Sequence, residues 1–244
     1  MQNERPKLNK AVLIFLLCLF LFPALIYYIV IVEEQERWDD LQLLLTATKP
    51  NRGTPSERAF IMKLLKSGFN GKAIFHDIYI QKKDSTYSQI DVVLATKVGL
   101  IAIEIKDYAG WIYGNVNKKN WTQVLAYGRE KYPLYNPIFQ NARHIDHLKR
   151  ALPREKMPIY NVIIFYGNSV FREMHEVPND VYLIKDYQAL NVVNHIQNSN
   201  PPAEYTDKHE IMRVLGEAVA NGDNPNIVYA HANYVHSIKN KHIA

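Results

Sequence analysis

Two short apolar segments, Gln89–Thr96 (QIDVVLAT) and Leu100–Asp107 (LIAIEIKD), decide the fold of this chain. Both are rich in Val and Ile and have the length of β-strands. Only Lys97, Val98 and Gly99 separate them, which leaves room for a tight turn and little else. The two segments are therefore predicted to form an antiparallel hairpin.

The hairpin carries three charged residues, Asp91, Glu104 and Lys106, inside otherwise apolar strands. A turn at Lys97-Val98 sets Asp91 opposite Glu104, and a turn at Val98-Gly99 sets it opposite Lys106; a three-residue loop would separate the side chains. Two close carboxylates repel unless a cation bridges them, and Mg²⁺ prefers oxygen ligands. The alternative is an ordinary ion pair on a solvated sheet face.

The segments around the hairpin alternate between helix and strand patterns. Thr54 and Pro55 are predicted to begin a helix as its N-cap and first residue. The pattern favours one mixed sheet with helices on both faces, an α/β fold. Helices are predicted over residues 33–45, 56–67, 137–152, 187–197 and 207–220, and further strands over 73–80, 111–113, 121–126, 160–166 and 181–184.

The N-terminal region contains an apolar run, residues 11–32, interrupted only by Pro23. At ~1.5 Å per residue, a helix of this length crosses a hydrocarbon core of about 30 Å, so a single-pass transmembrane helix is predicted. A cleaved signal peptide is disfavoured by the length and by the lack of a small-residue cleavage site. The basic residues at 5, 7 and 10 favour an internal N-terminus and an external body, whereas a nucleic-acid substrate favours an internal body. The side of the soluble domain stays open.

Composition restricts the chemistry of the chain. A single cysteine excludes a disulfide scaffold and a cysteine-cluster metal site, and the nine histidines show no zinc-ligand spacing. The net charge of +5 permits a basic groove without demanding one. The predicted organisation is a basic segment (1–10), the membrane helix (11–32), a juxtamembrane linker (33–52), a central domain (53–166) and a C-terminal α/β extension (167–244). The oligomeric state is not predicted.

The charged triplet resembles the D…(D/E)-x-K signature of the restriction-endonuclease-like, or PD-(D/E)XK, superfamily. A longer ordered set of segments, spread over about residues 53–166, resembles the nuclease-related domain called NERD. The segments are Ser56-Glu57, Gln89–Val93, Gly99–Lys106, Gly110–Gly114 and Asn136–Gln140, followed by His144 and Leu148.

The resemblance implies a restriction-endonuclease-like mixed β-sheet flanked by helices, and a nuclease that uses Mg²⁺ or Mn²⁺, with DNA favoured over RNA. It implies that Asp91, Glu104 and the backbone carbonyl of Ile105 hold the metal, and that Lys106 positions or activates the attacking water and stabilises charge on the phosphate. Glu57 would orient the site or complete a second metal position. Gln140 would reach in from the second helix of the domain.

Two residues depart from the family pattern, which often has Gly where this chain has Ser56 and Asn where it has Asp107. Because a carboxylate beside Lys106 could weaken its role as a cation, two alternatives remain: a catalytically weak or inactive nucleic-acid-binding scaffold, or an interaction protein with no nucleic-acid role. His144 and His147 are predicted to face solvent or to cap a contact, with His144 also in reach of a phosphate. Trp111 and Trp121 are predicted to pack the sheet.

Overall fold

The computed structural model describes residues 10–152 and 156–241, with the side chains of 11–14, 16–17, 20 and 238–241 outside the description. The chain divides into two compact units, Met1–Leu43 and Leu44–Ala244. The helix α1, Lys10–Leu45, accounts for the described part of the first unit.

The predicted membrane helix, residues 11–32, lies within α1. In the described part of the chain, no helix combines the length and the apolar character that a membrane crossing needs, so the predicted span is unsupported. Seven of the residues at the N-terminal end of that span have side chains outside the description, and residues 1–9 of the predicted basic segment 1–10 lie outside the described residues.

The second unit alternates helices and strands. Its helices are α2 (Pro55–Lys66), α3 (Pro137–Ala151), α4 (Ala189–Ser199), α5 (Lys208–Asn221) and α6 (Pro225–Lys241). Its strands are β1 (Ile74–Gln81), β2 (Tyr87–Thr96), β3 (Gly99–Asp107), β4 (Gly110–Asn115), β5 (Asn120–Leu125), β6 (Glu130–Tyr135), β7 (Ile159–Tyr166), β8 (Ser169–His175) and β9 (Val181–Lys185).

The predicted hairpin is the centre of a five-stranded mixed sheet with the order β1-β2-β3-β7-β9. Strand β2 is antiparallel to β3, with Val92 paired to Ile103 and Thr96 to Gly99. This is the register of a turn at Lys97-Val98, the first of the two predicted alternatives. Strands β3 and β7 are parallel and buried, as their continuous apolar sequences require.

The prediction of one sheet is wrong, because the strands form two. The second sheet is four-stranded with the order β6-β5-β4-β8. The chain leaves the first sheet after Asp107 and begins β4 at Gly110, whose φ of 81° turns the backbone away from the direction of β3. Strand β4 then pairs with β5 and, in parallel, with β8. Trp121 is buried in the apolar cluster under this sheet, as predicted.

Helices pack against the first sheet, and two of them carry the candidate residues Glu57 and Gln140. The side chain of Thr54 caps α2 by accepting a hydrogen bond from the Glu57 backbone N–H (3.3 Å), with Pro55 at the first helical position. Helix α3 packs against β3 and β7, and α5 packs against β1. Buried residues of α3 and α5, including Leu148 and Leu215, join the apolar core over β1 and β2.

Candidate active site

Neighbouring strands each place one acidic residue in the same row of the first sheet. The pairing of β2 with β3, continued by one position, sets Asp91 opposite Glu104. On β1, the residues on either side of Asp77 pair with the residues on either side of Asp91, so Asp77 lies opposite Asp91. Asp91 is 7% exposed and Glu104 is 2% exposed. A buried carboxylate is costly unless it is hydrogen-bonded or paired, so each needs compensating partners.

The burial of the Glu104 carboxylate is compensated by contacts with Lys106 and Gln140, and the three side chains form a closed triangle. Lys106 Nζ lies 2.5 Å from Glu104 Oε1. Gln140 Nε2 donates to the same oxygen (2.7 Å), and Gln140 Oε1 accepts from Lys106 (3.1 Å). Helix α3 thus supplies the amide that joins the two charged groups, which is the position predicted for Gln140.

The charges in this triangle stabilise each other. Burial by itself would raise the pKa of Glu104, but the charge of Lys106, with a smaller effect of His144, lowers that pKa to about 2. Burial likewise opposes the charged form of Lys106, yet the negative charges of Glu104 and Asp91 raise the Lys106 pKa above its usual value. Lys106 is therefore an ammonium group at neutral pH and acts as a cationic hydrogen-bond donor.

Asp91 is held on both oxygens by the same two strands. Its Oδ2 accepts from the backbone N–H of Ile105 (2.7 Å), and its Oδ1 accepts from Gln89 Nε2 (3.1 Å). Burial raises the pKa of Asp91 well above its ordinary value, and the negative charges of Glu104 and Glu57 raise it further. The positive charge of Lys106 and the hydrogen bond from the Ile105 N–H lower the pKa of Asp91 only in part, so the net direction stays upward.

Glu57, in the first turn of α2, faces the same cavity but has its own partners. Its Oε1 accepts from the Thr54 hydroxyl (2.8 Å), and its Oε2 lies 2.9 Å from His76 Nε2. The other ring nitrogen of His76 lies 2.5 Å from the hydroxyl of Thr48. Gly53 has a φ of 62°, and a Cβ there would collide with Glu57 and His76. This pairing therefore requires glycine.

The two departures from the family pattern contact each other. The Ser56 hydroxyl donates to Asp107 Oδ2. This bond engages the Asp107 carboxylate, while Lys106 is engaged by Glu104 and Gln140. The Asp107 carboxylate and the Lys106 ammonium thus have different partners.

His144 is half-buried and contacts other side chains, which is the second of its two predicted roles. Its Nδ1 lies 2.9 Å from the Ser88 hydroxyl, and its Nε2 lies 3.3 Å from Glu104 Oε2. The second contact is not a hydrogen bond, so Glu104 Oε2 and His144 Nε2 are buried without hydrogen-bond partners among the described residues. The sequence missed this because His144 and Ser88 belong to different elements, 56 positions apart.

The residues fit a hard divalent cation at one place. The described residues contain no group of three or more His, Cys, Asp or Glu side chains that could hold a metal ion together. Two carboxylates, Asp91 and Glu104, do line one cavity together with Ile105, and Glu104 Oε2 is a buried oxygen without a hydrogen bond. Carboxylate oxygens, a carbonyl oxygen and water suit Mg²⁺. Both oxygens of Glu57 have partners, as do both oxygens of Asp91, so Glu104 Oε2 is the carboxylate oxygen of these three residues that has no hydrogen bond.

The cavity that holds these groups has a volume of about 770 Å³. All of the predicted site residues line it: Glu57, Asp91, Glu104, Ile105, Lys106 and Gln140. The lining also contains residues that the sequence analysis did not single out, among them Arg52, Asp77 and Asp223. Asp77 gave the same signal as Asp91, an acid inside an apolar strand, whereas Asp223 had no local signal.

Known proteins give two points of similarity. An uncharacterized protein of Bacillus anthracis is 24% identical over 189 residues, which cover 76% of this chain and 84% of that protein. No solved structure matches the chain. The family model of the nuclease-related domain, NERD, matches residues 52–166, the stretch that contains every predicted site residue from Glu57 to Gln140.

Proposed function

We propose that this chain is a Mg²⁺- or Mn²⁺-dependent nuclease of the PD-(D/E)XK type that hydrolyses DNA phosphodiester bonds. One observation carries the proposal: Asp91, Glu104 and Lys106 converge in one cavity, with Glu104 Oε2 buried and free of hydrogen bonds from the described residues. The match of residues 52–166 to a nuclease-related domain supports the same reaction class.

The metal would be held by Asp91, Glu104 and the carbonyl of Ile105. When bound, such an ion supplies Lewis-acid stabilisation of charge on phosphate oxygens. The residues of the chain do the rest. Gln140 fixes the Glu104 carboxylate and the Lys106 ammonium relative to each other. Lys106, whose pKa is raised, keeps its proton and stabilises negative charge that develops on the phosphate.

Glu57 has a positioning role in this scheme. Thr54 and His76 hold its carboxylate in one orientation at the cavity wall. A fixed, buried carboxylate of this kind accepts a hydrogen bond from a water molecule in the cavity and orients it toward the scissile phosphate.

The test is cleavage of labelled DNA by the full chain, with Mg²⁺, with Mn²⁺ and with EDTA. Glu104→Gln keeps the shape of the side chain and removes its charge, and we expect it to lower the rate at least about a hundredfold. Glu130→Gln, at an exposed residue, removes one carboxylate elsewhere and serves as the matched control. Equal rates for the two variants, or cleavage in EDTA, would refute the proposal.

One observation favours the second candidate, a nucleic-acid-binding scaffold without cleavage. The Lys106 side chain is only 16% exposed and its ammonium already donates to Glu104 and Gln140, so one N–H is left for a substrate phosphate unless that triangle opens. The scaffold predicts binding of DNA with a strong salt dependence and no product with any metal.

Membrane attachment through residues 11–32, and the side on which the rest of the chain lies, stay predictions from the sequence alone. Fractionation of cells that produce the full chain, compared with cells that produce residues 33–244, tests attachment. Protease access to a C-terminal tag in intact cells tests the side. Recovery of both chains in the same fraction contradicts the anchor.

A further inference from the structure

The lining of the cavity includes an exposed ion pair between distant parts of the chain. Lys49 Nζ lies 2.9 Å from Asp223 Oδ1, and Arg52 Nη1 lies 3.6 Å from the same oxygen. Lys49 and Arg52 precede α2, whereas Asp223 lies between α5 and α6, outside the part that matches the nuclease-related domain. One carboxylate oxygen is thus shared by two cations.

Buried contacts fix the position of the segment that carries Asp223. Arg52 Nη1 donates to the carbonyl of Val219 (2.9 Å), and Asn221 Nδ2 donates to the carbonyl of Tyr79 (2.9 Å). Gly222 packs so closely that a Cβ there would overlap the Arg52 guanidinium. The end of α5 is therefore held against the cavity wall, and the Asp223 carboxylate is presented to Lys49 from a fixed backbone.

The described cations that line the cavity differ in how strongly other side chains already hold them. Lys106 is buried against Glu104, and Arg52, only 8% exposed, also forms an ion pair with Asp77 (3.2 Å). The Lys49 side chain is 60% exposed and the Asp223 side chain 40% exposed. A solvated pair of this kind has little net stability and exchanges readily. Lys49 is therefore the lining cation best placed to receive an anion from solution.

We infer that Lys49, backed by Arg52, forms a phosphate subsite for the nucleic-acid backbone, and that the Asp223 carboxylate occupies this subsite in the free chain. The inference rests on the proposed nucleic-acid substrate. A phosphate that enters the cavity takes the position of the carboxylate on Lys49. Asp223 thus acts as an internal counterion that each arriving strand must displace.

This arrangement has a measurable consequence for the salt dependence of binding. A cation that neutralises a phosphate releases a counterion condensed on the nucleic acid, and each such contact adds about 0.7 to the slope of log K against log salt for single strands. The Asp223 carboxylate beside Lys49 reduces the positive charge that the phosphate meets, so Lys49 neutralises the phosphate less and adds less to the slope of the native chain. Removing the charge of Asp223 restores the full contribution of Lys49.

The experiment measures binding of a fluorescent single-stranded oligonucleotide to the full chain with Glu104→Gln in every variant, so that no cleavage occurs. Salt is varied from about 50 to about 200 mM. The variants are Asp223→Asn, Lys49→Gln and both together. Asp180→Asn, at an exposed residue in the turn before β9, removes one negative charge elsewhere and is the matched control.

We expect Asp223→Asn to bind about three- to tenfold more tightly than Asp180→Asn at low salt, because one negative charge leaves the subsite. We also expect its salt slope to be steeper by about 0.7. The double variant should show neither the tighter binding nor the steeper salt slope, because both effects require Lys49. Lys49→Gln alone should bind more weakly than the parent, which tests the subsite even if Asp223→Asn unfolds.

Two results would overturn the inference while leaving the proposed function intact. One is an affinity and slope of Asp223→Asn equal to those of Asp180→Asn; the other is a gain that persists in the double variant. Cleavage by the chain with Glu104 intact shows in each case that the nuclease proposal stands. If no variant binds the oligonucleotide and the intact chain does not cleave it, both proposals fail together.

Discussion

The charge pair Glu104–Lys106 predicts a strong thermodynamic coupling between two buried residues. Lys106→Met removes the ammonium group and keeps the length of the side chain, while Glu104→Gln removes the carboxylate charge and keeps its shape. The surroundings lower the pKa of Glu104 from 4.5 to about 2. At about 1.4 kcal/mol per pKa unit, they favour its charged form by about 3 kcal/mol over water.

The charge of Lys106, 2.5 Å from Glu104 Oε1, is the largest single cause that lowers this pKa, so Lys106→Met should destabilise the fold by about 3 kcal/mol by leaving a buried carboxylate without its cation. When Glu104 is already Gln, the loss of Lys106 leaves no buried unpaired anion. The double-mutant cycle should therefore give a coupling energy of about 2–3 kcal/mol.

Urea unfolding of the four chains near pH 7, without divalent metal, measures this coupling. The sign of its pH dependence is fixed by the lowered pKa of Glu104. The contribution is present above the unfolded value of about 4.5 and is lost as the pH falls toward about 2. Effects of the two variants that add within about 0.5 kcal/mol near pH 7 would refute the account of Glu104 and Lys106 as a compensated pair.

Three further predictions concern the same cavity. Asp91→Asn should abolish any rise in melting temperature on adding Mg²⁺, because it removes one of the two carboxylates that would hold the ion, and a rise equal to that of the parent chain contradicts this. Ser56→Ala and Asp107→Ala should be coupled by about 1–2 kcal/mol in a double-mutant cycle, since they remove the two ends of one hydrogen bond, and strict additivity speaks against it. Gly53→Ala should destabilise by about 1–3 kcal/mol because a Cβ at φ 62° strains the backbone and meets the His76 ring, and an unchanged urea midpoint disproves the requirement for glycine.

The hairpin and its charged triplet could be predicted because the information is local. Strand periodicity puts Glu104 and Lys106 on one face, and the shortness of the turn leaves only a few registers for Asp91. The sequence could not choose between the two tight turns. The structure has the register in which Thr96 pairs with Gly99.

The second sheet could not be predicted because it depends on pairing between distant strands. Strand β4 pairs with β8, whose sequence Ser169–His175 alternates weakly and gives little strand signal. The predicted strand over residues 121–126 was found close to β5, but β6, with an internal Pro133 and mostly exposed residues, was missed. Propensity identifies a strand more readily than its partner.

The contacts that complete the site are also long-range. Asp223 meets Lys49 across 174 positions of sequence, and His76 meets Glu57 across 19. No spacing rule connects such positions. The sequence does contain one local indication of a site residue, which is a polar residue inside an apolar strand. This indication applies to His76 and Asp77 in β1 as it does to Asp91 in β2.

The row of Asp77, Asp91 and Glu104 argues against a purely structural role for this face of the sheet. Buried ion pairs and their polar partners add little to stability compared with well-packed apolar residues of the same volume. Asp77 also has a φ of 50°, a conformation that costs a non-glycine residue free energy. Burial raises the pKa of Asp77 despite its pairing with Arg52, as it does for Asp91. Adjacent strands of the sheet thus carry destabilising charged side chains, and in one case a strained backbone, in one row. An apolar row at this position would be more stable. This pattern is expected where side chains are selected for what they bind.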